Sequence, residues 1–315
     1  MRQTSSNSSI DLMHAYAPIA LFVYNRLNHI KKVIEALKKN LIAEKSKIYI
    51  FSDFSDSGEE QNKIKKIRKY LRNINGFKEV NIIERKNNYG TSKNITGGLD
   101  YIFKKYNKCI ILEDDIVVNK NFLSQMNYFL EKFNKNKKIA SIEGYMYPVN
   151  FRKDIPDYFF LKGTGCWGWA TWKRSWKNYE GSVDKLLKNF SAKKELVTDF
   201  DYYNSYPYYK MLKKQKWSQK KSWAIRWYAS NFIKNNYTIY FKNTLVKNIG
   251  LDGLGENCRI DYQINQKKFK NRTYKVNKNE KTNENLAAKK DIARYLKNKF
   301  TLKNKLKFVI KKLLS

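Results

Sequence analysis

The chain has 315 residues and 37.6 kDa, with 42% hydrophobic and 15% aromatic residues, which is enough for a full core and excludes wholesale disorder. It carries 64 Lys+Arg against 28 Asp+Glu, a formal net charge of +36, so anionic partners are expected: nucleic acid, an anionic membrane surface or an anionic small substrate. Only 13 Gly and 4 Pro exclude collagen-like and Pro-rich chains. Cys109, Cys166 and Cys258 are far apart with no CxxC pair, which argues against a disulfide framework or a zinc ribbon and for a reducing cytoplasm. With His14 and His29 the only histidines, histidine-rich metal sites and Ser/His/Asp triads are not expected.

Residues 1–16 are polar and read as a loose arm. Residues 17–24 form the longest apolar run near the start. It falls far short of the roughly 20 residues that span a bilayer and enters Asn25-Arg26 directly, so it reads as a strand (19–24), not a signal peptide. The spacing of Ile30, Val33, Ile34 and Leu37 predicts a helix over 27–39. A strand follows at 47–52, a helix at 63–71 and a strand at 80–84. Ser92 is expected to cap a helix to about 106. The apolar run 109–112 suits a central parallel strand, before a helix at 119–133 and a strand at 139–145. Strands alternating with helices predict an α/β sandwich around a mostly parallel sheet. Residues 145–262 are aromatic and irregular, and short strands, long loops and one or two helices are expected there. Residues 263–288 read as a linker. Residues 289–314 read as a basic amphipathic helix with Leu302, Leu306, Val309 or Ile310 and Leu313 at helical spacing. From 261 onward there are 17 Lys+Arg against 4 Asp+Glu.

Glu113-Asp114-Asp115 stands out in so basic a chain. It directly follows a buried strand, where α/β sheets bind ligands. Adjacent carboxylates repel unless a cation lies between them, and oxygen donors suit Mg²⁺ or Mn²⁺. The competing reading is a helix cap or pairing with surface lysines. Arg26 and Asp53 end the strands at 19–24 and 47–52. They suit a diphosphate grip and a base or ribose contact, or else a helix entry and a turn cap. Three polar clusters at three adjacent strand ends favour a nucleotide crevice.

These pieces, Phe22-Val23-Tyr24-Asn25-Arg26, Ile50-Phe51-Ser52-Asp53, Asn87-Asn88-Tyr89-Gly90 and Ile111-Leu112-Glu113-Asp114-Asp115, resemble in order and spacing the nucleotide-sugar half of GT-A fold glycosyltransferases. The nearest resemblance is to N-acetylglucosaminyltransferase I and bacterial surface-polysaccharide relatives, which carry a Glu-Asp-Asp form of the DxD motif. Gly165-Cys166-Trp167-Gly168-Trp169 and Asn248-Ile249-Gly250-Leu251-Asp252-Gly253 also look like the bacterial relatives, so the resemblance covers about 17–260. It implies a GT-A (Rossmann-like) domain over 17–262, with a nucleotide-sugar half at 17–145 and an acceptor half at 146–262. It implies a donor site of Arg26, Asp53, Gly90, Glu113, Asp114 and Asp115, with Asp115 ligating Mn²⁺ or Mg²⁺. It further implies a metal-dependent, inverting transfer of a hexosyl or N-acetylhexosaminyl group from a nucleotide sugar, UDP-linked by expectation. The acceptor would be a glycan or lipid-linked molecule of surface polysaccharide or lipopolysaccharide synthesis. Trp167, Trp169 and Trp223 would wall the sugar and acceptor, although core packing is the competing reading for each.

The chain departs from these relatives at the base. Ala224 stands beside Trp223 where the relatives carry an Asp, and Asn257 where they often carry a His. Asp252 and Glu256 are the substitute candidates, on a loop able to close over the donor. Turn formation at Asp252-Gly253 competes. The basic tail suits an anionic cytoplasmic leaflet, or else packing on the main domain or a second subunit. The expected location is therefore cytoplasmic, peripheral at the inner face of the membrane. Two other readings stay open: a degenerate member that binds donor without catalysis, and a nucleic-acid-binding protein. Lysines spread over the whole chain, without a Gly/aromatic RNA-binding signature, speak against the latter.

Overall fold

The structure is a computed structural model that describes residues 16–191, 193–219, 221–252, 269–270, 272–277 and 280–299. Along the chain run β1 (Ile19–Val23), α1 (Leu27–Lys38), β2 (Lys47–Ser52), α2 (Gly58–Leu71), β3 (Glu79–Glu84), α3 (Gly90–Lys105), β4 (Lys108–Glu113), β5 (Ile116–Val118), α4 (Phe122–Lys132) and β6 (Ile139–Glu143). After them come β7 (Tyr158–Lys162), β8 (Trp169–Trp172), α5 (Lys173–Trp176), α6 (Val183–Lys188), α7 (Lys194–Phe200), α8 (Tyr208–Lys214), α9 (Trp223–Ile233), β9 (Tyr237–Phe241), β10 (Val246–Asn248) and α10 (Leu286–Lys299).

One sheet of order β3-β2-β1-β4-β8-β6-β9-β7 organises the molecule, with β8 and β7 running against the rest. Strands β1 and β4 are apolar and buried on both faces, as parallel strands covered by helices must be. Ile19, Leu21 and Val23 join the core under α1 and α4, while Ala20 and Phe22 join the core under α3 and α9, following the two-residue alternation of a strand. The stripe Ile30, Val33, Ile34 and Leu37 is buried as its spacing predicts. The chain goes from β1 outward to β3 on one side and places β4 on the other, so strand order reverses between β1 and β4. A crevice opens beyond the strand ends at such a reversal. A small antiparallel pair, β5 and β10, holds the segment after β10 over that crevice.

Four expectations change. Ser92 lies inside α3, which starts at Gly90; its Oγ accepts from Arg226 Nη2 at 2.7 Å instead of capping. Residues 145–262 hold α5 to α9, more helix than the one or two expected, because clusters such as Phe190, Phe200, Tyr228 and Phe232 bury one another between short helices. The described part of 263–288 does not behave as a linker. Tyr274 is buried and stacks on Phe241 at 5.0 Å, and its backbone N–H donates to Gln125 Oε1 at 2.8 Å. Helix α10 starts at Leu286 rather than 289 and buries Ala288, Ile292, Ala293 and Leu296 in the second core. Buried Lys289 pairs there with Asp199 and, at 3.1 Å, with Glu284. Fully burying Ile292 and Leu296 contributes about 1.5–3 kcal/mol each, so this part of the tail serves packing. The stripe from Leu302 to Leu313 and most of the 1–16 arm lie outside the described residues. No helix among the described residues is long and apolar enough to cross a membrane.

Candidate active site

Arg26 follows β1, and Asp114 and Asp115 follow β4, so the strand reversal brings together groups 88 and 89 residues apart. Arg26 Nη2 donates to Asp114 Oδ1 and, at 2.9 Å, to Asp115 Oδ2. Both aspartates are buried. Burial opposes the charge on Arg26, yet Asp114 and Asp115 outweigh it and hold the guanidinium above its ordinary range. Arg26 Nη1 is buried without a hydrogen-bond partner among the described residues. Asp114 Oδ2 also accepts from the Tyr24 N–H at 3.4 Å. Glu113 stands half-buried at the lip of β4. Burial first, then Asp115 and Asp114, push it up to about 8.

The segment after β10 covers this turn. Ile249 N–H donates to the Asp115 carbonyl at 2.8 Å. Gly250 comes so close that a Cβ there would lie 2.2 Å from Asp115 Oδ2 and 2.8 Å from Arg26 Nη1. The cradle therefore admits no side chain at this position. His29 Nε2, on α1, lies 3.2 Å from the Ile249 carbonyl and 3.0 Å from Asp252 Oδ2, tying the segment down. Asp252 is thus held by His29 at the end of the described part of this segment; Glu256, with Gly253, lies outside the described residues.

Asp53 closes β2. Its buried Oδ1 accepts from the N–H of Phe54 at 2.9 Å and of Tyr89 at 3.0 Å, joining the β2 end to the start of α3. Burial raises its pKa against those hydrogen bonds. Gly90 opens α3 at φ +66°, a conformation that most side chains resist. Sequence reasoning missed Arg85, which follows β3 and lies over the rings of Tyr89 at 4.7 Å and Phe51 at 5.3 Å. Its Nε donates to Asn94 and its Nη2 is buried without a partner among the described residues. Its place directly after a strand, like that of Arg26, was the available signal.

The tryptophans divide. Trp169 and Trp223 are 1% and 4% exposed and stack on each other at 5.5 Å, with Trp227 5.6 Å from Trp169. Their faces are covered, so packing replaces the expected wall. Trp167 is half-buried, edge-on to Tyr145 at 4.6 Å. Ala224 lies at the start of α9 against this cluster. Arg226, two residues on, reaches Ser92 of α3, so the start of α9 borders the crevice.

Glu143, at the end of β6, is a second residue that sequence reasoning missed. It pairs across with Trp169, and Trp169 pairs with Ile111, which puts Glu143 on the α3 and α9 face. Its Oε1 accepts from the N–H of Trp167 at 3.1 Å and of Tyr145 at 3.3 Å; its Oε2 lies against Gly165 without a partner among the described residues. Burial holds this carboxyl well above its ordinary range. A carboxyl kept neutral by folding contributes its full stability below the ordinary carboxylate pKa and loses it as pH rises. Glu143→Gln is therefore expected to stabilise the fold at pH 8, by at least about 1 kcal/mol, and to bring no such gain at pH 4. Urea denaturation at both pH values measures this; an equal change at both would reject a neutral Glu143.

No group of three His, Cys, Asp or Glu among the described residues is arranged to hold a metal. An oxygen donor such as Asp115 still fits a hard divalent cation, since Mg²⁺-type sites commonly use one or two carboxylates and complete their shell with substrate phosphates.

The family model described as "Glycosyl transferase family 2" matches residues 19–191. Among solved structures, TarS of S. aureus is 13% identical at a TM-score of 0.39, covering 73% of this chain and 36% of its own. A mannosyltransferase from Pyrobaculum calidifontis, solved with GDP-Man and Mn²⁺, is 10% identical at 0.30, covering 43% of this chain and 37% of its own. Glucosyl-3-phosphoglycerate synthase from Mycobacterium tuberculosis, solved with Mn²⁺ and UDP-Glc, is 7% identical at 0.30, covering 55% of this chain and 63% of its own. The chain thus spans about a third of TarS. No curated protein matches significantly.

Proposed function

The chain belongs to glycosyl transferase family 2, and from that premise we propose that it moves a hexosyl or N-acetylhexosaminyl group, with inversion, from a UDP-linked donor to a glycan or lipid-linked acceptor in surface-polysaccharide synthesis. The observation that carries this reading is Arg26, held between Asp114 and Asp115 at the strand reversal with an Nη1 that has no hydrogen-bond partner among the described residues. A guanidinium so placed can take diphosphate oxygens with directional hydrogen bonds. Asp53 is proposed to receive the uracil ring, and Gly90 to let the donor approach the start of α3. Glu113 and Asp114 are proposed to reach sugar and ribose, Asp114 by leaving Arg26. Mn²⁺ or Mg²⁺ held by Asp115 would neutralise charge on the departing diphosphate. Asp252, steadied by His29, is the described carboxylate proposed to take the proton of the acceptor hydroxyl, and Glu256 is the alternative. Trp167 keeps its proposed place beside the acceptor. Residues 300–315 remain the part of the tail proposed to reach the anionic inner leaflet.

The test is nucleotide competition. UDP is expected to bind at least about tenfold more tightly than GDP or ADP, equivalent to about 1.4 kcal/mol. Equal affinities, or a preference for GDP, would reject the uracil assignment to Asp53. Ala224 favours a second reading, a member that binds donor without transfer. UDP binding without UDP release from any of a panel of nucleotide sugars would support it.

A further inference from the structure

Of the seven tryptophans in the chain, Trp217 alone lies open, 76% exposed. Five of the others are buried and Trp167 is half-buried. Trp217 follows α8 in a turn closed by its own N–H donating to the Lys214 carbonyl at 3.3 Å. Lys210, Lys214 and Trp217 recur at helical spacing, with exposed Met211 beside them, while Leu212 on the other side of α8 is fully buried. Residues 208–221 contain six lysines and no Asp or Glu. Lys216 alone among the described lysines of this stretch pairs with a carboxylate, Asp184 at 3.1 Å.

We propose that Met211, Trp217 and the lysines around them form a docking surface for an anionic lipid bilayer. Indole rings settle at the headgroup level, where one side is apolar and the other wet, and methionine adds apolar area there. Lysines beside them are drawn to acidic headgroups. A second copy of this chain fits poorly, because two such patches would bring lysine against lysine. Helix α9 starts six residues after Trp217, and its Arg226 reaches Ser92 at the start of α3. The proposal rests on residues 208–221 and does not depend on any transfer reaction.

The intact chain is mixed with vesicles of phosphatidylcholine and phosphatidylglycerol in equal parts, whose acyl chains are brominated near the headgroup to quench indole fluorescence on contact. Quenching is expected with these vesicles and not with phosphatidylcholine alone. Most of it should be lost in Trp217→Phe, in which five of the remaining indoles are buried and only Trp167 is half-buried. Sedimentation should show about tenfold weaker binding for Trp217→Ala. Lys210→Gln with Lys214→Gln should weaken it about thirtyfold, each lysine counting for about fivefold, and added salt should release the intact chain. An intact chain that ignores these vesicles at low salt would overturn the proposal. So would binding unchanged in Trp217→Ala, or quenching that survives largely intact in Trp217→Phe, since either would mean that another surface makes the contact. Tight binding to a soluble anionic polymer or to nucleic acid without quenching by lipid would overturn it too.

Discussion

Replacing Arg26 with methionine is expected to lower the stability of the fold by about 3–5 kcal/mol, the range found when one partner of a buried ion pair is removed. Asp114 and Asp115 are 4% and 7% exposed and adjacent in the chain. Without the guanidinium, burial and mutual repulsion both disfavour their charges. The deficit should shrink as pH falls, because protonation relieves the stranded pair. Adding Asp114→Asn to Arg26→Met should recover part of the loss, which shows that the two residues act through each other. Denaturant titrations of the single and double variants measure this. A loss below about 1 kcal/mol, or purely additive effects, would mean that Arg26 does not hold the acidic turn.

Asp115→Asn is expected to abolish the gain in UDP affinity that Mn²⁺ brings, at least about tenfold, while leaving the fold intact. Asparagine keeps the shape and still accepts from Arg26, which retains Asp114 as its charged partner. What it loses is the negative charge that would attract a divalent cation. Calorimetric titration with UDP, with and without Mn²⁺, separates the two effects. An unchanged metal-dependent gain would remove Asp115 from the metal site. A variant that binds UDP weakly in both conditions would instead point to the diphosphate grip of Arg26.

What the sequence by itself determined is local and periodic. The helical stripe at Ile30, Val33, Ile34 and Leu37 and the wholly apolar run before Glu113 state their own burial, because side-chain direction repeats every 3.6 or 2 residues. Polar residues directly after such runs marked Arg26, Asp53 and the acidic triplet, because a parallel sheet collects its strand ends on one edge. The tertiary structure alone decided what each residue faces. Arg26 meets Asp114 across 88 residues and His29 meets Ile249 across 220, pairings that no local pattern encodes. Trp169 and Trp217 have the same side chain, yet one is packed among other indoles and the other stands in solvent, because burial depends on which distant elements close over a position. The tail shows the same limit. Alternating lysines and apolar residues suit a membrane and a protein core equally, and for α10 the choice fell to the core because β7 and α7 offered Glu284 and Lys289 a place, through Phe160 and Asp199. Periodicity reports that a face is apolar; only the folded chain supplies what covers it.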